Sequence, residues 1–269
     1  MVAARILAAF DGASSVAPIT DDRPDFDLDD AYTVAALVTA RRIARGERPV
    51  GWKVGFTNTT IWDEYGVHAP IWGPMYDTTV AASDPGQGAA ACAIDHLVEP
   101  RIEPEIVLKL AAVPHGDMDD GELLGCLDSV AHGFEIVQSV FPGWRFRAAD
   151  TVAAFALHGL ARHGPFVRIA SVARPAEWLT MLSSFRITLF RDGAEMDRGI
   201  AGNVLGSGPL AALRHLARGL VDHSAGYSLN PGDIVTTGTI TRAFPIRPGE
   251  RWSTEVEGLP LPGMNLSFI

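Results

Sequence analysis

Apolar and polar positions alternate with period two over residues 101–110, RIEPEIVLKL. A strand there sets Ile102, Ile106, Leu108 and Leu110 on one face and Glu103 and Glu105 on the other. A second apolar run, HGFEIVQSVF over residues 132–141, holds Glu135 among Phe134, Ile136 and Val137 and reads as another strand. Residues 120–130 between them read as a short helix. The glycine-flanked PVGWKVGF, from residue 49, reads as a short strand. FRITLFRDGAEM, 185–196, is a hairpin with its turn at Asp192-Gly193. NPGDIVTTGTI is a turn followed by a strand, and ERWSTEVEGL is a further strand. Helical spacing occurs in two places. In SGPLAALRHLARGL, 207–220, Pro209 suits a first turn, and Leu210, Leu213, Ala217 and Leu220 share a face. The other helix begins near Ala31 behind a cap at Asp29 or Asp30, carries an Ala36, Ala40, Ile43, Ala44 stripe and stops at Gly46. MVAARILAAF reads as a helical start, residues 12–28 as an exposed connector and residues 82–91 as a loop.

Strands outnumber helices and do not alternate with them, so the expected class is α+β with a mixed, mostly antiparallel sheet and flanking helices. The expected division is a mainly helical part over residues 1–48 and a catalytic β-rich domain over 49–269, forming one structural unit. The 269 residues, 47% of them hydrophobic, suffice for a substantial core. A net charge of -10 argues against nucleic acid and anionic membranes as partners. The N-terminal apolar run is shorter than the ~20 residues a bilayer requires, and a cytoplasmic protein is expected. Cys92 and Cys126 have neither zinc-site nor redox-pair spacing and fit free thiols in a reducing compartment.

The chemistry centres on the carboxylates. Glu103 and Glu105, side by side on one face, repel each other in a low dielectric. Either that face meets water, or a positive group stands between them; a hard divalent cation such as Mg²⁺ or Mn²⁺ takes carboxylate oxygens. Glu135 is the candidate third carboxylate. Lys53, between Trp52 and Val54, is either an acid–base group or a lysine reaching water from a strand edge.

Five stretches in order, GWKVGFT, VEPRIEPEI, GFEIVQS, ADTVAAFALHG and NPGDIVTTGTIT, resemble the 2-keto-4-pentenoate hydratase and 4-oxalocrotonate decarboxylase family of the fumarylacetoacetate hydrolase superfamily. The resemblance runs from about Ala31 to near the C-terminus. It implies a mixed, rolled β-sheet core of the fumarylacetoacetate hydrolase type. It implies Glu103, Glu105 and Glu135 as ligands of Mg²⁺ or Mn²⁺, with Lys53 and Asp77 as an acid–base pair. Thr239 resembles a position that lines the substrate pocket. Ser207 is expected at a helix N-terminus that would bind an anion or simply carry a cap. His158 stands where many members carry a small polar residue, and is expected to touch substrate or to pack. Gln138 stands where many carry Asp.

The implied function is a metal-dependent lyase, a hydratase of a 2-hydroxydienoate or 2-oxo acid in aromatic-compound degradation, working as a homo-oligomer. The alternatives are a decarboxylase of the oxalocrotonate type and an acylpyruvate-type C–C hydrolase. The hydrolases' VGxNYxxHxxE pattern, laid from Val54, puts Ile61 at the histidine and Glu64 at the glutamate, which weakens that alternative. A protein that binds cation and oxo acid without turnover is the non-enzyme alternative, against which Lys53 and the three glutamates stand.

Overall fold

A computed structural model of the chain describes residues 1–83, 88–222 and 227–269. The chain opens with helices α1 (Val2–Asp11), α2 (Ile19–Asp22) and α3 (Leu28–Ala44). Then come β1 (Pro49–Gly55), α4 (Trp62–Tyr65), β2 (Ile71–Tyr76), β3 (Val80–Ala82), β4 (Ala90–Cys92) and β5 (Arg101–Leu110). Next are α5 (Asp120–Gly125), β6 (Leu127–Val137), α6 (Ala148–Ala153), β7 (His158–His163), β8 (Val167–Arg168), α7 (Ile169–Val172) and α8 (Pro175–Ser184). The chain closes with β9 (Arg186–Arg191), β10 (Ala194–Ile200), α9 (Pro209–Asp222), β11 (Ile234–Thr236), β12 (Phe244–Pro245), β13 (Arg251–Glu257) and β14 (Asn265–Phe268).

Among the described residues the strands form two sheets. The larger runs β2-β1-β11-β5-β6-β7-β3, with β12 on β5 and β8 on β6; the smaller runs β10-β9-β13-β14-β4. Both mix parallel and antiparallel pairs: β1–β11, β3–β7 and β4–β14 are parallel. This is the α+β, curled mixed-sheet fold expected from the sequence. Ile102, Phe134 and Ile136 on one face of the larger sheet pack with Leu189, Trp252, Leu266 and Phe268 of the smaller one. Helices α1, α3, α6 and α9 share a second apolar core with Trp52, Trp72, Ile106 and Leu108. The three glutamates face away from the inter-sheet core.

Several boundaries differ from the sequence reading. Helix α3 starts at Leu28, because the Asp27 carboxylate accepts the Asp30 N–H at 2.9 Å and so caps it. Its buried face is Ala31, Tyr32, Val34, Ala35, Val38, Thr39 and Arg42, while Ile43 is half exposed. Arg42 turns inward because Glu47 accepts from it at 2.6 Å and the Tyr76 ring lies 4.0 Å beneath its guanidinium. The 12–28 connector buries Ile19, Thr20 and Phe26. The 120–130 helix stops at Gly125, and Leu127 already belongs to β6. Of the loop expected over 82–91, Ala82 ends β3, Ala90 begins β4, and residues 84–87 lie outside those described.

Phe155, Ala156 and Leu157 have φ of 60°, 50° and 64°. Three successive non-glycine residues in the left-handed region cost roughly 1–2 kcal/mol each. They form the turn that delivers β7 to the edge of β6.

Candidate metal and acid–base site

The register of β5 on β6 brings the carboxylates together. Glu103 lies directly opposite Glu135, and Glu105 opposite Gly133. Since Glu103 and Glu105 are two apart, all three point to one side. Ligand oxygens of the three lie within 4.8 Å of one another. Like charges placed opposite each other across two strands destabilise a sheet. The compensating group comes from β1, two strands away. Between them β11 is only three residues long, and its Thr236 is the residue beside Lys53. Beyond Thr236 the chain leaves the strand, and Lys53 reaches across the gap to stand 3.2 Å from Glu135 Oε2.

Each buried carboxylate is held differently. Glu135 Oε1 accepts from His158 Nδ1 at 2.8 Å. Glu105 Oε2 accepts the Gly238 N–H at 2.7 Å. Glu105 Oε1 and Glu135 Oε2 are buried with no hydrogen-bond partner. Burial pushes the Glu103 carboxyl up to about 7 and Glu105 well above the usual range, with repulsion from Glu135 adding to both. Burial would raise Glu135 as well, but Lys53 and His158 overcome it and hold that carboxylate low. Lys53 would lose its proton through burial; the three carboxylates keep it charged and raise its pKa.

Three carboxylates and one ammonium carry a net charge of -2 when all are ionised (-3 + 1). A divalent cation neutralises that sum. Hard oxygen donors, two of them orphaned in the interior, are the donor set that Mg²⁺ or Mn²⁺ takes, so the residues fit such an ion.

A narrow cavity of ≈ 20 Å³, room for about one water, borders this cluster at Lys53 and Glu103. Lys53, Glu103, Phe56, Tyr65, Trp144 and Thr239 line it, together with Gly55, Ile61, Val137, Ala156 and Leu157. Tyr65 and Trp144 form its outer wall. Arg101, two residues before Glu103 on β5, donates to the Tyr65 hydroxyl at 2.7 Å and lies 4.3 Å from the Trp144 ring.

The structure thus brings together Lys53, Glu103, Glu105, Glu135 and Thr239. It does not bring Asp77. That residue follows β2 at the opposite end of β1 from Lys53, and its carboxylate accepts from Arg48 Nε at 2.9 Å. The Asp77–Arg48 pair is a turn-closing ion pair at the surface, so the expected acid–base partnership with Lys53 is corrected. Ser207 lies exposed in the turn before α9, outside the cavity lining, and the expected substrate contact is likewise corrected. His158 lies behind Glu135, outside the cavity lining, with both ring nitrogens engaged, and so braces the Glu135 carboxylate. Thr239 keeps its place in the lining, with its hydroxyl donating to Thr241 O at 2.9 Å. Tyr65, Trp144 and Gly238 went unnoticed in the sequence. The aromatics sit in single helical turns too short to show periodicity, and Gly238 acts through its backbone.

Gly238 has φ +89°, and a Cβ there would stand 1.8 Å from Thr57 Oγ1 and 3.0 Å from Val54 O. Gly238→Ala is therefore expected to destabilise the protein by about 2–4 kcal/mol, read from urea denaturation. An unchanged midpoint would show that the 238 turn relaxes freely.

No family model matches the chain. It is 29% identical over 256 residues to a 2-keto-4-pentenoate hydratase of Paraburkholderia xenovorans (strain LB400), covering 93% of this chain and 88% of that one. It is 31% identical over 242 residues to a 4-oxalocrotonate decarboxylase of Pseudomonas sp, covering 88% of each. Among solved structures, the 4-oxalocrotonate decarboxylase from Pseudomonas putida G7, complexed with magnesium and adipate, superposes with a TM-score of 0.87. That match has 26% identity and covers 100% of this chain and 96% of that one.

Proposed function

Since the chain belongs to the 2-keto-4-pentenoate hydratase and 4-oxalocrotonate decarboxylase family, within the fumarylacetoacetate hydrolase fold, we propose that it is a divalent-metal-dependent hydratase. Its substrate class is the 2-hydroxy-2,4-dienoates and their 2-oxo-enoate tautomers. The observation that carries this reading is the lining of the cavity. Lys53 stands beside the carboxylate cluster, and apart from Glu103 the rest of the wall is uncharged. A second cation in the wall would favour an oxalocrotonate-type diacid, whose far end is charged. Among the described lining residues Lys53 is the sole cation, and it is already opposed by three carboxylates. The remaining wall of Phe56, Ile61, Val137 and Leu157 suits the apolar end of a mono-acid. The hydrolase alternative loses its water-activating group, since Glu64 sits on the surface, 2.7 Å from Arg242.

Glu103, Glu105 and Glu135 would hold Mg²⁺ or Mn²⁺. When bound, that cation acts as a Lewis acid toward the substrate's 2-oxygen and relieves Lys53 of part of the field that fixes its proton. Lys53 then gives its proton to the terminal carbon of the dienol. The 2-hydroxyl releases its proton as the 2-oxo-3-enoate forms. The Lys53 amine takes a proton from the water that adds to the neighbouring carbon, which restores the ammonium. The enolate left by that addition regains a proton at C3 to give the 4-hydroxy-2-oxo acid. One group serves in both steps, which removes the need for Asp77. Phe56, Tyr65 and Trp144 shield the site from bulk water. The partner is a small molecule, and self-association into a homo-oligomer is part of the same proposal.

The test is turnover of 2-hydroxypenta-2,4-dienoate by protein loaded with Mg²⁺ or Mn²⁺, beside an oxalocrotonate-type diacid. Loss of dienol absorbance with formation of a 4-hydroxy-2-oxo acid supports the reading. Release of CO₂ from the diacid at a higher kcat/KM overturns it in favour of the decarboxylase.

Cation binding should also release protons. Glu103 titrates near 7 and Glu105 above the usual range, so both hold protons near neutrality in the metal-free protein. Their folded pKa values lie above the unfolded ones, so the metal-free fold gives up stability as pH rises through about 7. Deprotonated carboxylates then favour the cation. Apparent Mn²⁺ affinity is expected to rise between about pH 6 and 8, with proton release seen by calorimetry in buffers of different ionisation enthalpy. A flat profile would show that the carboxylates are already ionised.

A further inference from the structure

His158 is the buried group that the reaction above does not use. Its ring is 1% exposed. Nδ1 lies 2.8 Å from Glu135 Oε1, and Nε2 lies 2.9 Å from Thr79 Oγ1. An ionised carboxylate only accepts, so Nδ1 carries the proton; the Thr79 hydroxyl, which accepts the Tyr76 N–H at 3.2 Å and also reaches Tyr76 O at 3.1 Å, then turns its single proton to Nε2 of the neutral ring. Thr79 is itself pinned. Its N–H donates to Tyr76 O at 2.9 Å, and its carbonyl accepts from Ala161 N at 2.8 Å. On the other side, the left-handed run Phe155–Leu157 fixes where the ring sits. Ala156 and Leu157 face the cavity, and His158, the next residue, turns behind Glu135. Left-handed non-glycine backbone persists only where its surroundings over-determine it.

We propose that His158, braced by Thr79, is a positioning residue that locks the Glu135 carboxylate so that a single oxygen, Oε2, faces Lys53 and the cation site. A carboxylate otherwise turns freely about its last torsion and can present both oxygens or neither. With Oε1 bound to the ring, Oε2 is left facing the Lys53 ammonium at 3.2 Å. A divalent cation held by the three carboxylates would take that same oxygen. The Nδ1–H also fixes the ring's tautomer, as the outer partners of ligands commonly do. The inference rests on the cation reading of the site, and deepens it by giving a role to a residue the sequence marked as a departure.

The experiment titrates Mn²⁺ by calorimetry into the full chain as wild type, His158→Leu, His158→Asn and Thr79→Val, with a thermal melt of each metal-free protein as the check on folding. Leucine fills the space without a donor, while the asparagine Nδ2 can take the place of Nδ1. Expected is a ten- to hundredfold weaker Mn²⁺ affinity for His158→Leu and about threefold or less for His158→Asn. Thr79→Val should fall between them. In metal-free wild type, imidazole ¹⁵N shifts should show the proton on Nδ1. Leucine and asparagine variants equally weak, a leucine variant as tight as wild type, or a proton on Nε2 would each overturn the positioning role alone. A wild type that binds no Mn²⁺ overturns the reading of the site, and with it any role defined by the cation.

Discussion

Lys53→Met is expected to lower turnover by about 10²–10⁴-fold, the range that a positioned proton-transfer group supplies, while Mn²⁺ binding survives. Methionine matches the lysine stem but carries no proton. The residues that remain in the cavity wall cannot replace it. Glu103 belongs to the carboxylate cluster, Tyr65 is a phenol pushed up to about 12 by burial, and Thr239 donates its hydroxyl to Thr241 O. Removing the ammonium leaves three carboxylates without a counter-charge, which favours a cation in their midst. Affinity should therefore hold or increase, apart from carboxyls that take up protons instead. Steady-state kinetics on the dienol beside Mn²⁺ calorimetry separate the two effects. A variant within tenfold of wild-type kcat would remove Lys53 from the chemistry. A variant that binds no Mn²⁺ would make Lys53 part of the scaffold of the cluster.

Glu105→Gln is expected to weaken Mn²⁺ at least about a hundredfold, beyond the upper end of what loss of an outer partner costs, and to abolish turnover with it. Glu105 is fully buried, with one oxygen on the Gly238 N–H and the other orphaned. Glutamine can keep the Gly238 bond through its carbonyl oxygen. Its amide then puts two N–H donors where the orphaned oxygen stood, against Glu135. Shape is retained, charge and one acceptor are lost, and the fold should survive: the neutral amide spares the repulsion that raises the Glu105 pKa. The measurement is Mn²⁺ calorimetry with oxalate as a chelating mimic of the substrate's 2-oxo acid end. Unaltered binding in the variant would mean that the cation, if any, sits on Glu103 and Glu135 alone. Binding by neither protein would leave the cluster as a set of protonated carboxyls.

How much of this was legible in the sequence depends on the range of the forces involved. Strand β5 could be read to its ends because alternation is a local signal, and the Asp192-Gly193 turn because its backbone chemistry is local too. Helix α9 showed its buried Leu210, Leu213, Ala217 and Leu220 for the same reason. The face of α3 was misread because Arg42 counts as polar, and only the distant Tyr76 and Glu47 make its burial tolerable. That Glu135 meets Glu103 depends on strand register, which spacing does not give; the family resemblance supplied it. Asp77 was assigned by the family resemblance, which supplies a match in sequence but no position in space, and the β1–β2 register carries it to the far end of the ladder. His158 was visible as an unusual residue. Its partner Thr79 lies 79 positions away and was invisible.

The outer wall of the cavity has a kinetic meaning. A dienol is larger than one water, so the segment around α4 must swing aside to admit it. That segment is fastened by the buried Ile61 and Val67 and by Tyr65 packing on Phe56 and Phe146, and at its rim by Arg101 on the Tyr65 hydroxyl and the half-exposed Arg242–Glu64 pair. An exposed ion pair such as Arg242–Glu64 is screened by salt, whereas pairs in the interior are screened much less. The two halves of the site therefore answer to different variables. Ionic strength acts on the Arg242–Glu64 contact at the rim, while acidity and cation supply act on the buried cluster.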